Sequence, residues 1–177
     1  WIKKHFHLDE KDKILLHVGR LSKEKNIDYL IEAMGEIQKT ISHVKLIIVG
    51  TGPEETNLRR LAHQKNLESS VFFSGQINHS ELLKCYAGAD IFTFASRSET
   101  QGLVVGEAKA AGLPVVCSFS PCLSETIFHG KDGFLVHTLQ DFVEKIKYLL
   151  ENEPLRKNMG KRAKINALRY SSNLLAN

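Results

Sequence analysis

Hydrophobic and polar positions follow two alternating periods along the chain. Short aliphatic and β-branched runs end at glycine or a small polar residue, and stretches with apolar residues three and four apart follow them. "KILLHV" (13–18) reads as a buried strand ended by Gly19. After it, "NIDYLIEAMGEIQKTI" places Ile27, Leu30, Ile31, Met34 and Ile37 at helical spacing, with Asn26 or Asp28 as the expected cap. The pattern repeats: strand "VKLIIVG" (44–50), helix "EETNLRRLAHQKNL" (54–67), strand "VFFSG" (71–75), then helix "HSELLKCYAGA" beginning near Ser80. "DIFTFAS" (90–96) is a fourth strand, "LVVGEAKAAG" a short helix, and "PVVCS" (114–118) a fifth strand. "GFLV" (133–136) makes a sixth, followed by the amphipathic "LQDFVEKIKYLLEN" and a last helix with Pro154 at its start.

Strands alternating with helices predict an α/β fold, a doubly wound parallel sheet with helices on both faces and right-handed crossovers. No repeat, low-complexity tract or linker divides residues 1–177, so one domain is expected. Ligands of such sheets bind outside the carboxyl ends of the strands. The segments to inspect are therefore "GRLSKEKN", "GTGPEE", "SGQIN", "SRSETQG" and "SFSPCLSE".

Composition narrows the function classes. The 177 residues are 42% hydrophobic and 25% charged, which suits a soluble domain with a sizeable core. No apolar run approaches the roughly 18 residues that cross a bilayer, and the polar start "WIKKHFHLDEKDK" has no signal core. The chain begins without Met, as a piece of a longer protein would. Three cysteines, Cys85, Cys117 and Cys122, lack CxxC spacing, so neither a zinc site nor a disulfide framework is expected. A reducing, cytoplasmic compartment follows. A net charge of +4 is too small to argue for nucleic acid but suits an anionic ligand or membrane surface.

The loop "GRLSKEKN" offers Arg20 and Lys25, a guanidinium fork and a mobile point charge for phosphate; a plain solvated basic loop is the alternative. "GTGP" (50–53) lacks the third glycine of a dinucleotide fingerprint, since position 55 is Glu55, and turn chemistry explains it equally. "SETQGLVVGEAKAAGLPVV" (98–116) is more specific. A loop with Glu99, Thr100 and Gln101 meets Gly102, which opens a helix ended by Gly112 and Pro114. Gly102 would let helix-start N–H groups approach a diphosphate, and Glu107, about a turn further, could accept both hydrogens of a ribose diol. Eight helical residues span about 12 Å, too far for the paired carboxyls of a glycosidase at about 5–9.5 Å. The alternative for both glutamates is structural: Glu107 an exposed helix residue and Glu99 a dipole partner.

Taken in order, "GRLSKEKN", "VGTGP", "VFFSG", Glu99 and Glu107 with "EAKAAGLPVV", and "DGFLV" resemble the C-terminal half of retaining GT-B glycosyltransferases, family 4 above all. The resemblance covers roughly residues 13–150 and implies the Rossmann-like, donor-binding half of a GT-B fold, with an N-terminal acceptor domain outside this chain. It implies a hexosyltransferase that moves a sugar from a nucleoside-diphosphate sugar, a UDP-sugar foremost, to a glycan or lipid acceptor. By position, Arg20 and Lys25 would clasp the diphosphate and stabilise the leaving group, with Glu99 on the hydroxyls of the transferred sugar. Glu107 would hold the ribose. Gly19, Gln101 and the N–H groups of Gly102, Leu103 and Val104 would line the sugar and diphosphate, and Ile77 would border the base. No Asp-x-Asp motif occurs, so neither a metal nor an organic cofactor is expected.

Three positions depart from the family's pattern: Gln101 replaces an aromatic residue, Lys109 a methionine and Gly106 a bulky aliphatic one, which bears on sugar selection. "SETQGLV" is similar to bacterial diacylglycerol glucosyltransferases. For a lipid acceptor, the six basic residues Arg156, Lys157, Lys161, Arg162, Lys164 and Arg169 would favour peripheral association with the inner membrane face. The eight histidines show neither metal spacing nor an acid partner and read as exposed or satisfied. The aromatics of "VFFSG" and "DIFTF" read as sheet core, one of them at a strand end able to border a nucleotide. Rival readings are a sugar-nucleotide epimerase of the same fold and a nucleotide-binding module without catalysis; the order of the phosphate clasp and the four charged positions favour transfer.

Overall fold

Aliphatic runs that are buried on both faces build the centre of the molecule. In the computed structural model, which describes residues 1–175, β1 (Lys13–Val18), β2 (Val44–Val49), β3 (Val71–Gly75), β4 (Ile91–Phe94), β5 (Val115–Ser118) and β6 (Gly133–Val136) form one parallel sheet in the order β3-β2-β1-β4-β5-β6. The order reverses direction between β1 and β4. Leu15 is paired with Leu46 on one side and Ile91 on the other.

Alternation along the strands sends side chains to two apolar layers. Leu15, Leu46, Ile48 and Val116 pack with α2 (Ile27–Gln38), α3 (Glu55–Gln64) and α7 (Leu139–Glu151). Ile14, Leu16, Phe92 and Val115 pack with α1 (Ile2–His5), α4 (His79–Gly88), α5 (Leu103–Ala110) and α6 (Pro121–Ser124). The doubly wound sheet expected from the sequence is thus present. α8 (Glu153–Leu175) crosses beside α5 and contributes buried Met159 to the first layer.

Several helix ends differ from expectation. Asn26 precedes α2 in a left-handed conformation (φ +49°) and makes no side-chain cap; its amide donates instead to Ala95 O at 3.2 Å. The helix expected to reach Leu67 stops at Gln64, where the chain turns through Asn66 at φ +56°. α4 starts one residue before Ser80 because Asn78 and Glu81 form a reciprocal capping box.

Candidate functional site

The point where strand order reverses is where a ligand crevice forms in such sheets. β1 and β4 pair only through Leu15↔Ile91 and Leu16↔Phe92. At the next position the ladder gives way to a side chain: the wholly buried His17 has Nδ1 3.2 Å from Thr93 O and stacks on Phe94 with 5.7 Å between centroids. A carbonyl can only accept, so Nδ1 carries the proton and Nε2 a lone pair. Nε2 has no partner. Burial pushes the imidazole pKa down to about 4; the bond to Thr93 O opposes that shift and the Lys25 charge adds to it.

Past the ends of β1 and β4, at Val18 and Phe94, lies a cavity of about 320 Å³. Val18, Gly19, Arg20 and Lys25 line it from the β1 side, and Phe94, Glu99, Thr100, Gln101, Leu103 and Val104 from the β4 side. Lys25 Nζ lies 2.9 Å from Glu99 Oε2 and 5.9 Å from the Phe94 ring centroid. Glu99 Oε1 accepts from the N–H groups of Gly102 at 3.3 Å and Gln101 at 3.4 Å. Burial acts to raise the Glu99 pKa. The Lys25 hydrogen bond, the Gly102 N–H, the Lys25 charge and the Gln101 N–H together outweigh it and hold the carboxyl below its ordinary range. A carboxylate thus occupies the start of α5, where backbone donors and the helix dipole favour an anion.

Gly102 makes this geometry accessible. It has φ +63°, and a Cβ there would stand 3.0 Å from the Leu123 side chain. As donors in the first turn, Leu103 and Val104 have N–H groups without an intrahelical acceptor. Arg20 and Leu103 are exposed at the cavity mouth.

Glu107 belongs to a neighbouring space. It lines a groove of about 380 Å³ between α4 and α5, with His79, Leu82 and Tyr86 among the other walls. Its Oε2 accepts from the Tyr86 hydroxyl at 2.9 Å. Ile77 packs against the second core layer and lines neither space. The glycines of "GTGP" serve a backbone rather than a ligand: Cβ atoms on Gly50 and Gly52 would fall 2.0 Å from Gly19 O and 2.3 Å from Leu21 O. Leu21 and Thr51 bond across this junction, as do Glu54 and Leu21. Among the described residues, no three His, Cys, Asp or Glu side chains gather as metal ligands.

Residues 2–166 match the family model of the glycosyl transferases group 1. The chain belongs to that family. The alpha-monoglucosyldiacylglycerol synthase of Streptococcus pneumoniae is 36% identical over 139 residues, covering 78% of this chain and 32% of that enzyme. A TarM variant from S. aureus, solved with fondaparinux, alpha-GlcNAc-glycerol and UDP, superposes with a TM-score of 0.83 at 29% identity over 92% of this chain and 34% of that one. The C-terminal domain of a group 1 protein (LpcC) from Francisella tularensis shares the fold, with a TM-score of 0.83 at 22% identity over 94% of this chain and 89% of that one. The chain spans less than half the length of the curated relatives it matches, 42%, 41% and 32% of three of them.

Within this group 1 domain, other expectations need correction. Lys109, one of the departures expected to bear on sugar selection, does not line the cavity. It is 4% exposed, paired with the wholly buried Asp132 at 2.9 Å, and donates to Thr126 O. Asp132 also accepts from Phe128 N–H at 2.8 Å and Asn166 at 2.9 Å. Among the histidines, His63 has an acid partner, Glu68, and His17 is buried with one nitrogen unsatisfied. Arg156 is not on the basic surface: it is buried, 3.4 Å from Asp90, and donates to Leu149 O and Leu150 O. Lys157 pairs with Glu153. No helix is long and apolar enough to cross a membrane among the described residues. Two residues at these sites carry little signal in the sequence: His17 is marked only as a polar residue inside "KILLHV", and Tyr86, at an apolar position of α4, is not marked at all.

Proposed function

We propose that this chain supplies the donor site of a retaining glycosyltransferase acting on a nucleoside-diphosphate sugar. The observation that carries the reading is the convergence of Arg20, Lys25, Glu99 and the first turn of α5 on one cavity at the sheet's switch point. The diphosphate would lie between Arg20, Lys25 and the N–H groups after Gly102. There, two cations and a helix start stabilise the charge that develops as the nucleoside diphosphate leaves. With at least two negative charges, that group competes with Glu99 for Lys25. Once displaced, Glu99 is free to accept from sugar hydroxyls. Glu107 would hold the ribose, and the groove beside it, toward Leu82 and His79, would take the base.

UDP is the first nucleotide to test, since the TarM structure holds it. A glycan or lipid acceptor fits the names of the relatives, one of which is an alpha-monoglucosyldiacylglycerol synthase. For a lipid acceptor, α8 offers Lys161, Arg162 and Lys164 as exposed cations.

Calorimetry with UDP, GDP, ADP and their sugar derivatives tests the assignment. Charge-assisted hydrogen bonds contribute about 1.5–3 kcal/mol, so Arg20→Ala should weaken nucleoside-diphosphate binding roughly tenfold or more. Glu107→Gln should weaken free diphosphate and sugar nucleotide alike. Glu99→Gln should weaken only the sugar nucleotide, and because it releases Lys25 the free diphosphate should bind unchanged or tighter. An unchanged affinity in Arg20→Ala, or equal losses for both ligands in both glutamate variants, would refute these roles.

A further inference from the structure

We propose that Tyr86 is a positioning residue for the nucleotide ribose, acting through its hydrogen bond to Glu107. The inference rests on the donor-site reading above, and specifically on Glu107 as the ribose acceptor. Tyr86 itself would touch no reacting atom.

The geometry is that of a fixed donor holding a mobile acceptor. Tyr86 is 2% exposed and its ring lies against Phe92 at 6.1 Å between centroids, so the core sets its orientation. Its hydroxyl meets Glu107 Oε2 at 2.9 Å, and both residues line the groove between α4 and α5. Glu107 by contrast is exposed on α5. Fixing a free glutamate side chain costs up to about 1.5–2 kcal/mol of rotamer entropy, a cost the ligand would otherwise meet on binding. The Tyr86 bond meets part of it beforehand, which is the general route by which preorganisation raises affinity.

The pairing also sets which lone pairs stay available. A carboxylate has about four acceptor sites. Tyr86 takes one on Oε2, leaving Oε1 and the outer side of Oε2 for two adjacent O–H donors, the pattern of a ribose diol. A buried phenol that lost this acceptor would be left unsatisfied, so the contact is favoured from both sides. Burial first, and then the Glu107 carboxylate, drive the phenol pKa upward. Tyr86 therefore remains a donor throughout the working pH range.

Calorimetry on the whole chain with UDP and 2′,3′-dideoxy-UDP tests the proposal. The unsubstituted chain should prefer UDP; a chain that binds UDP no better than the dideoxy compound, or not at all, overturns the ribose reading and this proposal with it. Given that preference, Tyr86→Phe should weaken UDP about five- to tenfold and leave the dideoxy compound within twofold. The same substitution in a Glu107→Ala background should change neither. A purely structural role for Tyr86 predicts equal weakening of both nucleotides. That result, or UDP affinity unchanged in Tyr86→Phe, overturns the proposal while leaving the donor-site reading intact.

Discussion

His17 sits among aliphatic strand residues with one nitrogen bonded and one not, and its burial couples stability to pH. Its pKa is about 4 in the folded chain against the ordinary 6.5. Between those values the unfolded chain binds more protons than the folded one, so stability rises with pH. The contribution is complete above pH 6.5 and is lost as pH falls through 4, a difference of about 3 kcal/mol. Urea midpoints at pH 7 and 4.5 should therefore differ less in His17→Phe than in the unsubstituted chain; equal differences would acquit His17. Arg20, Lys25, Glu99 and Glu107 were legible as candidates from their place after strands and at a helix start, and the ordered motifs around them, not the charges alone, set them apart from solvated residues. Partners were not legible. That Lys25 holds Glu99, and that Tyr86 holds Glu107, depends on residues 74 and 21 positions apart in the chain.

Elements were legible where periodicity had room to show. The strands at 13–18, 71–75 and 133–136 have the boundaries their apolar runs predict. The four-residue helices α1 and α6 were not legible, being too short for any period. Nor was the buried ion pair that ties α5 to the segment before β6, since Lys109 and Asp132 lie on different elements and nothing in their spacing links them. Its energetics can be tested. Removing one partner of a buried pair leaves an uncompensated charge and costs about 3–5 kcal/mol, whereas replacing both is often neutral. Lys109→Met alone should lower stability by about 3 kcal/mol. Lys109→Met with Asp132→Asn should recover most of it, because no uncompensated charge remains and an amide at 132 keeps an acceptor for Phe128 N–H. A double variant no more stable than the single one, in chemical denaturation, would show that the pair is not coupled in this way.

At the scale of the whole molecule, strand and helix alternation announced the layers, while the sheet order and its reversal between β1 and β4 emerged only from the structure. That reversal brings the loop after β1 and the start of α5 around one cavity, proposed for diphosphate and sugar, while Glu107 and the groove between α4 and α5 beside it are proposed for ribose and base. Transfer needs more than a held donor. The acceptor oxygen must stand about 3–3.5 Å from the anomeric carbon, and such positioning can supply about 7–11 kcal/mol of the barrier. None of the residues proposed for the donor site performs that task, and the curated relatives are more than twice as long as the stretch they share with this chain. The 177 residues alone should therefore bind a sugar nucleotide and transfer nothing at an enzymatic rate. Donor hydrolysis should be slow, because past Arg20 and Leu103 the cavity opens to solvent, which screens the charge stabilisation of the leaving group that a closed site would give. Labelled donor incubated with the chain and a panel of lipid and glycan acceptors checks this, with donor affinity measured on the same preparation. Saturable binding without product is the expected result. Glycoside formation at rates near 1 s⁻¹ or above, the ordinary range for enzymes, would mean that these residues already contain the acceptor site, and that the division of labour proposed for the two halves is wrong.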